Sequence, residues 1–428
     1  MLKQIINTFF IRILTGVVNL VIAVIISNLL GAEGKGIQGL VITTISLIIV
    51  FTGIIGSGGL TYMLPRVHLR LLLIPSFIWS LLIVLIIWVG LIFIPLVPKE
   101  FIQDVVCLSF LLSVFNINNS ILVAYKKIER SNMLSLIQII TTLLIIIYVF
   151  IVKGKGSVQG YIIALYVGYS VSLTVSFLFT FSYYKITHIS HSLLKYYIAF
   201  KQLVKYGGFN QLDILAQFLS FRLAYYLLNY YLDPSIVGIY SNGVSIVESI
   251  WLLSRSISFV LHSQLVNSRN IKLSVELTIK FIKLSLLLAL FGIVVIVLIP
   301  SGFYRFVFGP EFGDIRKVVI SLSPGILFFS ISFILSAFYS GTGRHYINSI
   351  SSIVGLIAIV VFSLLLIPIM GIVGAGISAS ISYILTTIIK LSYFKPISGI
   401  NKNDLRYNKS DIKSIKLLLQ SLFSLNNK

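Results

Sequence analysis

Long apolar segments restrict the fold of this chain more than any other feature of its sequence. About twelve runs of roughly 20 apolar residues each occupy most of the 428 residues, and a run of that length crosses the hydrocarbon core of a bilayer as an α-helix. Only 11% of the residues are charged. An open sheet cannot span a membrane, because its unpaired backbone groups would be unsatisfied in lipid. The sequence therefore predicts an all-α integral membrane protein.

Short segments rich in glycine, proline or charge separate the apolar runs, as at residues 31–36 and 368–371. The first run is longer than the core of a signal peptide and lacks an evident cleavage site, so we expect it to remain as the first helix. The twelve predicted transmembrane helices lie near residues 5–30, 37–63, 71–97, 102–125, 132–152, 158–184, 208–232, 236–266, 276–300, 317–340, 346–367 and 371–394.

Basic residues are distributed unevenly over the predicted loops. When alternate loops are assigned to opposite sides, 22 of the 33 Lys and Arg residues fall on the side that holds both termini, seven fall on the other side and four lie within helices. Cytoplasmic loops of membrane proteins collect Lys and Arg. We therefore expect both termini in the cytoplasm and an even number of spans. The same bias accounts for the net charge of +21 without a nucleic-acid partner.

The longest predicted cytoplasmic connection, residues 185–207, lies near the middle of the chain. Its apolar residues alternate with lysines at helical spacing, as Leu193 does with Lys195, which is typical of an amphipathic helix on a membrane surface. An offset of 214 residues also aligns Gly160 with Gly374, which favours two parallel repeats of six helices. The sequence thus predicts a six-helix lobe at 1–184, a cytoplasmic amphipathic linker at 185–207, a second six-helix lobe at 208–394 and a basic cytoplasmic tail at 395–428.

Charged residues within the predicted spans are the candidate functional groups. A charge at the centre of a bilayer costs about 3 kcal/mol on insertion scales, so such residues usually face a bundle interior or an aqueous cavity. At 1.5 Å per residue, Arg222 and Glu248 lie about 20 Å and about 18 Å from the entry of their helices, near mid-membrane. Arg12 and Arg255 lie in the predicted cytoplasmic half.

Two interpretations of these residues remain open. In the structural one, Arg222 and Glu248 form a buried ion pair that joins two helices, Arg12 extends to the inner headgroups, and intramembrane serines and asparagines hold helices together. In the functional one, cations outnumber acids in a cavity that suits an anionic headgroup, because guanidinium groups bind phosphate with paired hydrogen bonds. The candidate substrate-binding residues are then Arg12, Arg222, Arg255, Asn116 and Asn119, with Glu248 as the candidate coupling residue.

Several other classes of protein lack support in the sequence. Cys107 is the single cysteine, and the pair His188 and His191 has no neighbouring ligand, so we expect neither a disulfide nor a metal site. The longest predicted external loop, about 301–316, holds Glu311 and Asp314 but no companion catalytic motif, so we do not expect an enzyme. No glycine-rich phosphate-binding loop is present in the sequence.

Four short segments, distributed in order along most of the chain, resemble one family of transporters. They are Leu-Leu-Gly-Ala-Glu-Gly-Lys-Gly-Ile at 29–37, Val-Gly-Ile-Tyr-Ser at 237–241, Phe-Gly-Pro-Glu-Phe at 308–312 and Ile-Pro-Ile-Met-Gly-Ile-Val-Gly-Ala-Gly at 367–376. They are similar to segments of the polysaccharide repeat-unit flippases, which are related to multidrug and toxic-compound extrusion transporters and to lipid II flippases.

The resemblance implies two six-helix lobes arranged as a V around a central cavity. It also implies translocation of undecaprenyl-diphosphate-linked oligosaccharides across the bacterial cytoplasmic membrane for O-antigen, capsule or exopolysaccharide synthesis. The expected partners are the polyprenyl-diphosphate-linked glycan, the lipid bilayer and the polysaccharide polymerase machinery, with no cofactor beyond a coupling H⁺ or Na⁺. The alternative is a cation-coupled drug or metabolite exporter, in which Glu248 would carry the coupling ion.

Overall fold

The computed structural model describes residues 2–154, 156–184, 192–265 and 270–399, with side chains from residue 10 onward except those of residues 12, 209 and 210. Across these residues the regular structure is entirely helical. The pair His188 and His191, the beginning of the predicted linker and residues 400–428 of the predicted tail lie outside the described residues.

Thirteen α-helices follow one another in the described part of the chain. They are α1 (Leu2–Gly53), α2 (Leu60–Met63), α3 (Leu69–Phe93), α4 (Ile102–Ala124), α5 (Ile128–Ile147), α6 (Val158–Tyr184), α7 (Leu193–Tyr231), α8 (Pro234–Glu248), α9 (Trp251–Leu265), α10 (Ile271–Leu298), α11 (Ser301–Phe308), α12 (Ile315–Gly341) and α13 (His345–Ser398). Two π-helical segments, Ile54–Gly59 and Tyr148–Val152, and two 3₁₀ segments, Lys99–Phe101 and Pro310–Asp314, lie between them.

Glycine divides each of the two longest helices. α1 has 52 residues with a break at Gly31 (φ 67°), and α13 has 54 residues with a break at Gly371 (φ 55°). A straight helix of either length would measure about 80 Å, far more than the hydrocarbon core of about 30 Å. Only glycine adopts a positive φ at little cost. Each long helix therefore consists of two spans, as the turns predicted at 31–36 and 368–371 require.

Eight helices of the described chain are long and apolar enough to cross a membrane, and nine are if the bent pair of α8 and α9 counts as one span. Division of α1 and α13 at their glycines raises this number to eleven. α7 is the remaining helix of the predicted twelve; it is less apolar than the others because its first half carries Lys195, Lys201 and Lys205. The prediction of an all-α multi-pass membrane protein is confirmed.

Three predicted boundaries differ from the structure. α7 begins at Leu193 and continues to Tyr231 without interruption, so the later part of the predicted linker belongs to the same helix as the predicted span at 208–232. The span predicted at 236–266 is bent by 43° between α8 and α9. The loop predicted at 301–316 instead forms α11 and a 3₁₀ segment.

The described chain divides into two compact units. Unit 1 contains the residues up to Asn242 together with Ser301–Ile315, and unit 2 contains Gly243–Pro300 and the residues from Arg316 onward. The boundary therefore falls within α8. The two predicted six-helix lobes and the linker between them stay a prediction.

Each unit has its own apolar core. In unit 1, Leu60, Leu72 and Ile117 belong to a buried cluster in which α2, α3, α4 and α7 meet. In unit 2, Phe338 and Phe394 pack edge to face with ring centroids 5.0 Å apart, in a cluster formed by α9, α10, α12 and α13. Large apolar side chains on the outer faces of these helices remain exposed, as expected for surfaces in contact with lipid.

Candidate functional site

Arg222 lies on α7 in unit 1 and is half-buried. Its guanidinium carbon is 5.4 Å from the ring centroid of Tyr225, one turn further along the helix. This distance allows a cation–π contact, which is stronger where water is excluded. On the same face, Tyr225 is buried and the Tyr226 hydroxyl contacts Thr44 Oγ1 at 3.1 Å. This part of α7 therefore packs against α1.

Glu248 is the last residue of α8, beside the bend that separates α8 from α9, and it is half-buried. A straight helix over the predicted span at 236–266 would place Glu248 and Arg255 on one side. Because the helix bends by 43° at this point, the two residues lie on separate helices. Arg222 belongs to unit 1 and Glu248 to unit 2, so their predicted pairing stays a prediction.

Arg255 lies on α9 in unit 2, and its side chain is exposed. Its guanidinium carbon is 5.0 Å from the ring centroid of Phe333 and 5.9 Å from that of Trp251. Trp251 is fully buried, and its indole N–H donates to the backbone oxygen of Ile326 at 3.2 Å. One side of the exposed Arg255 guanidinium thus rests on aromatic rings, in the bent span that α8 and α9 form.

The remaining predicted substrate-binding residues lie in unit 1. Arg12 is on the first half of α1, and its side chain lies outside the described part of the structure. Asn116 and Asn119 are half-buried on α4. Asn116 lines a cavity, whereas the side-chain oxygen of Asn119 is buried without a hydrogen-bond partner. The two asparagines therefore have different surroundings, although they are one helical turn apart.

The cavity beside Asn116 has a volume of about 230 Å³ and lies among α1, the π-helical segment Ile54–Gly59, α3, α4 and α7. Ser113 donates to Thr52 Oγ1 at 3.2 Å, and Gln211 Nε2 donates to the backbone oxygen of Val50 at 2.7 Å. The polar side chains in its wall come from Thr52, Ser57, Ser80, Ser113, Asn116 and Gln211. Of these six residues, Asn116 alone is among the candidates predicted from the sequence.

A second group of polar contacts, which we term the Gly31 cluster, surrounds the break in α1. Glu311 Oε2 accepts from the backbone N–H of Ala32 at 2.6 Å. Asn28 Nδ2 donates to the backbone oxygen of Val307 at 2.7 Å. The cluster consists of Ser27, Asn28, Ala32, Gly36, Gly238, Asn242, Val307 and Glu311. It joins α1 to α11 and the 3₁₀ segment that follows.

The beginning of α8 completes the Gly31 cluster. Asn242 Nδ2 donates to Ser27 Oγ at 2.7 Å, and both side chains are buried. A Cβ atom on Gly36 would lie 1.7 Å from the backbone oxygen of Pro234, and one on Gly238 would lie 2.1 Å from that of Ala32. Helices α1 and α8 are thus in backbone contact at these two positions, which only glycine permits. The motifs at 29–37, 237–241 and 308–312 contribute to this one cluster.

Lys390 is a buried cation of unit 2 to which the sequence analysis gave no role. It lies in the second half of α13 and is 1% exposed. Its ammonium group donates to Ser332 Oγ at 2.8 Å and Ser336 Oγ at 2.7 Å, and its backbone oxygen accepts from the Tyr339 hydroxyl at 2.6 Å. These contacts join α13 to α12. The spacing of Ser332, Ser336 and Tyr339 on one helical face could have indicated a polar partner.

The long apolar helices and the two glycine breaks, which divide α1 and α13, define a multi-pass membrane protein. Comparison with solved structures identifies its fold. The lipid II flippase MurJ, in an inward closed conformation, superposes with a TM-score of 0.76 at 15% identity, over 99% of this chain and 93% of that one. An inward-facing multidrug resistance MATE family transporter of the MOP superfamily superposes with a TM-score of 0.72 at 17% identity, over 90% and 95%.

Comparisons of sequence are more limited. No family model matches the chain. The capsular polysaccharide biosynthesis protein CapF of Staphylococcus aureus is 26% identical over 164 residues, which make up 38% of this chain and 41% of that protein. The alignment thus spans less than half of CapF. The protein has the fold of MATE transporters and of MurJ, as the sequence resemblance implied.

Proposed function

We propose that the protein translocates undecaprenyl-diphosphate-linked oligosaccharide repeat units across the bacterial cytoplasmic membrane, as a step in the synthesis of a capsule, an O-antigen or an exopolysaccharide. Both termini would lie in the cytoplasm, in accord with the distribution of Lys and Arg. The likeness to a lipid II flippase and the local similarity to a capsule biosynthesis protein support this substrate class.

The observation that carries the proposal is the setting of Arg255. Its side chain is exposed on a membrane-spanning segment and rests on Phe333 and Trp251. Exposure of a guanidinium group to lipid would cost about 3 kcal/mol or more. A polar cavity that receives an anionic group removes that cost, because a diphosphate can accept paired hydrogen bonds from the guanidinium. A substrate with a diphosphate between lipid and sugar fits these requirements.

In the mechanism that we propose, Arg12 and Arg255 receive the diphosphate when the predicted central cavity is open to the cytoplasm. Glu248 holds Arg222 in that state. The arriving phosphate competes for Arg222 and releases Glu248 to bind H⁺ or Na⁺. A ligand shifts a conformational equilibrium only by its difference in affinity for the two states, so this exchange of partners would provide the difference that favours the outward-open state.

A deletion strain of the source organism tests the function. We expect loss of surface polymer and accumulation of lipid-linked repeat units in the inner leaflet, both restored by the wild-type gene. Arg255→Ala should fail to restore them at normal membrane abundance, since loss of a charged hydrogen-bonding partner costs about 2–5 kcal/mol. Arg255→Lys should restore part, because an ammonium lacks the planar fork of a guanidinium. Arg316→Ala, which removes an exposed cation at the start of α12, is the matched control.

The likeness to a MATE family transporter favours a second candidate, a cation-coupled exporter of drugs or metabolites. The same deletion strain distinguishes the two functions. Increased sensitivity to toxic compounds together with normal surface polymer would contradict the flippase proposal and support the exporter.

A further inference from the structure

The cavity of unit 1 has a lining without charge. The eleven described residues that form its wall are all uncharged, although the protein as a whole is strongly basic. A phosphate in this cavity would find no cation, and a metal cation would find no carboxylate. The surface that the lining exposes is mostly apolar, with a small polar share. The lining is suited to an uncharged group that combines apolar surface with a few hydroxyl or amide substituents, as a sugar ring does.

Ser80 supplies an independent indication of a ligand. It lies on α3, is fully buried and lines the cavity. Its hydroxyl has no hydrogen-bond partner, whereas buried serines elsewhere in unit 1, such as Ser76 and Ser109, donate to the backbone of the preceding helical turn. An unpaired buried hydroxyl costs about 1–3 kcal/mol. A ligand that hydrogen-bonds to Ser80 would remove this cost.

The size of the cavity restricts what it can hold. Its volume of about 230 Å³ equals about seven or eight water molecules at roughly 30 Å³ each. Pockets that enclose a drug-sized molecule begin at about 300 Å³. The enclosed space therefore has room for one sugar ring, and the rest of an oligosaccharide would extend from its open side.

Glycine and an irregular helical turn create this space. A Cβ atom on Gly53 would lie 3.0 Å from Gln211 Nε2, and one on Gly56 would lie 3.3 Å from a side-chain carbon of Ile117. Both glycines adjoin or belong to the π-helical segment Ile54–Gly59, and π-helical turns occur frequently at functional sites. A side chain at Gly53 would crowd Gln211 in the wall, and one at Gly56 would press against Ile117.

We propose that this cavity is a subsite for one uncharged sugar ring of the lipid-linked glycan, with Ser80 and Asn116 as its hydrogen-bonding contacts. Gln211 donates through Nε2 to Val50, which leaves its oxygen as an acceptor for a sugar hydroxyl. The inference rests on the proposed function and extends it, because it assigns sugar recognition to unit 1 through groups other than the arginines. It also specifies a neutral sugar at this position.

Binding measurements on the full-length protein in nanodiscs test the subsite. The probes are farnesyl diphosphate and a panel of farnesyl-diphosphate monosaccharides that includes neutral hexoses, N-acetylhexosamines and uronic acids. We expect at least one uncharged sugar to increase the affinity over that of farnesyl diphosphate by about tenfold, and uronic acids to give no increase. Ser80→Ala should remove most of this increase while the affinity for farnesyl diphosphate stays unchanged, and Asn116→Ala should also reduce the increase.

Ser363→Ala is the matched control, because Ser363 of unit 2 is also fully buried with an unpartnered hydroxyl and does not line the cavity. Thermal unfolding should show that both serine variants are at least as stable as the wild type, because each loses an unpaired buried hydroxyl. Equal affinity for farnesyl diphosphate with and without sugars, or equal losses in Ser80→Ala and Ser363→Ala, would overturn the subsite and leave the proposed function standing. If the wild type bound none of the probes, both the subsite and the proposed function would be overturned.

Discussion

Glu311 and Ala32 are 279 residues apart in sequence and are joined by a hydrogen bond of 2.6 Å from the Ala32 backbone N–H to Glu311 Oε2. Ala32 follows the break at Gly31 and is at the N-terminal end of the second half of α1, where backbone N–H groups lack partners within the helix. A carboxylate at this end satisfies one of them and interacts favourably with the helix dipole. The 3₁₀ segment Pro310–Asp314, which precedes α12, is thereby joined to α1.

Replacement of this carboxylate should destabilise the Gly31 cluster. We expect Glu311→Ala to lower the free energy of unfolding by about 1.5 kcal/mol, a value typical of a hydrogen bond with a charged partner. Glu311→Gln should lower the free energy of unfolding by less, because an amide oxygen can still accept a hydrogen bond from the Ala32 N–H. Thermal unfolding in detergent measures both. Glu100→Ala is the control, since Glu100 is exposed in the 3₁₀ segment Lys99–Phe101, and a loss as large as that of Glu311→Ala would argue against a specific bond.

The contact between Gly36 and Gly238 leads to a prediction about helix separation. A methyl group on Gly36 would overlap the backbone oxygen of Pro234, at 1.7 Å, so α1 and α8 must move apart in Gly36→Ala. Overpacking of this kind costs about 1–3 kcal/mol. We expect lower thermal stability and increased reactivity of a cysteine introduced at Ser27, measured with a membrane-permeant thiol reagent.

Two other glycines provide the controls for Gly36→Ala. A Cβ atom on Gly39, one turn further along α1, would be at an ordinary distance of 3.6 Å from the Ser241 side chain. One on Gly90, in the interior of α3, would meet nothing within 4 Å. Gly39→Ala should be nearly neutral, and Gly90→Ala should stabilise the protein by up to about 1 kcal/mol through helix propensity. Similar losses in all three variants would refute a specific contact between α1 and α8.

Features that depend on local sequence were predicted well. The helix predicted at 158–184 has the bounds of α6, and the breaks at Gly31 and Gly371 occur in predicted turns. Apolar length and glycine position determine these features residue by residue. The bend after Glu248 was not predicted, because neither Gly nor Pro marks it.

Features that depend on contacts between distant segments were not available from the sequence. α11 is a helix of only eight residues, too short for a hydropathy pattern to distinguish from a loop. The hydrogen bond from Ala32 to Glu311 requires that two turns 279 residues apart in sequence meet. Ser80 looks like any other serine in an apolar run, and only the packing of α3 against α1 and α4 shows that its hydroxyl is buried without a partner.

Lys390 allows a test that separates structural from functional cost. Removal of a buried charge by an apolar side chain of similar volume is often neutral or stabilising, because the charge no longer has to be desolvated. Ser336 Oγ also bonds to the backbone oxygen of Ser332 at 2.8 Å, so this serine retains a partner in Lys390→Met. We expect unchanged or higher thermal stability of the purified variant.

The translocation activity of Lys390→Met then determines the role of the ammonium group. Normal surface polymer in the complemented deletion strain would assign Lys390 to the packing of α13 on α12. Loss of polymer at full stability would show that a buried cation is required for function. A marked fall in thermal stability would contradict the reasoning from desolvation.

The last prediction distinguishes a structural from a functional role for Arg222 and Glu248. Both are half-buried, Glu248 in the bent span of α8 and α9 and Arg222 in the span predicted at 208–232. If they form only a structural ion pair, either single change to Leu leaves an unpaired charge and should impair both folding and complementation, at a cost of about 3–5 kcal/mol. The double variant Arg222→Leu with Glu248→Leu contains neither charge and should then complement the deletion strain normally. Our mechanism predicts the opposite, namely a double variant that reaches the membrane in normal amount but does not restore surface polymer, since both the phosphate contact and the coupling carboxylate are absent. Normal polymer in the double variant would exclude both residues from the mechanism and leave Arg12 and Arg255 as the proposed diphosphate contacts.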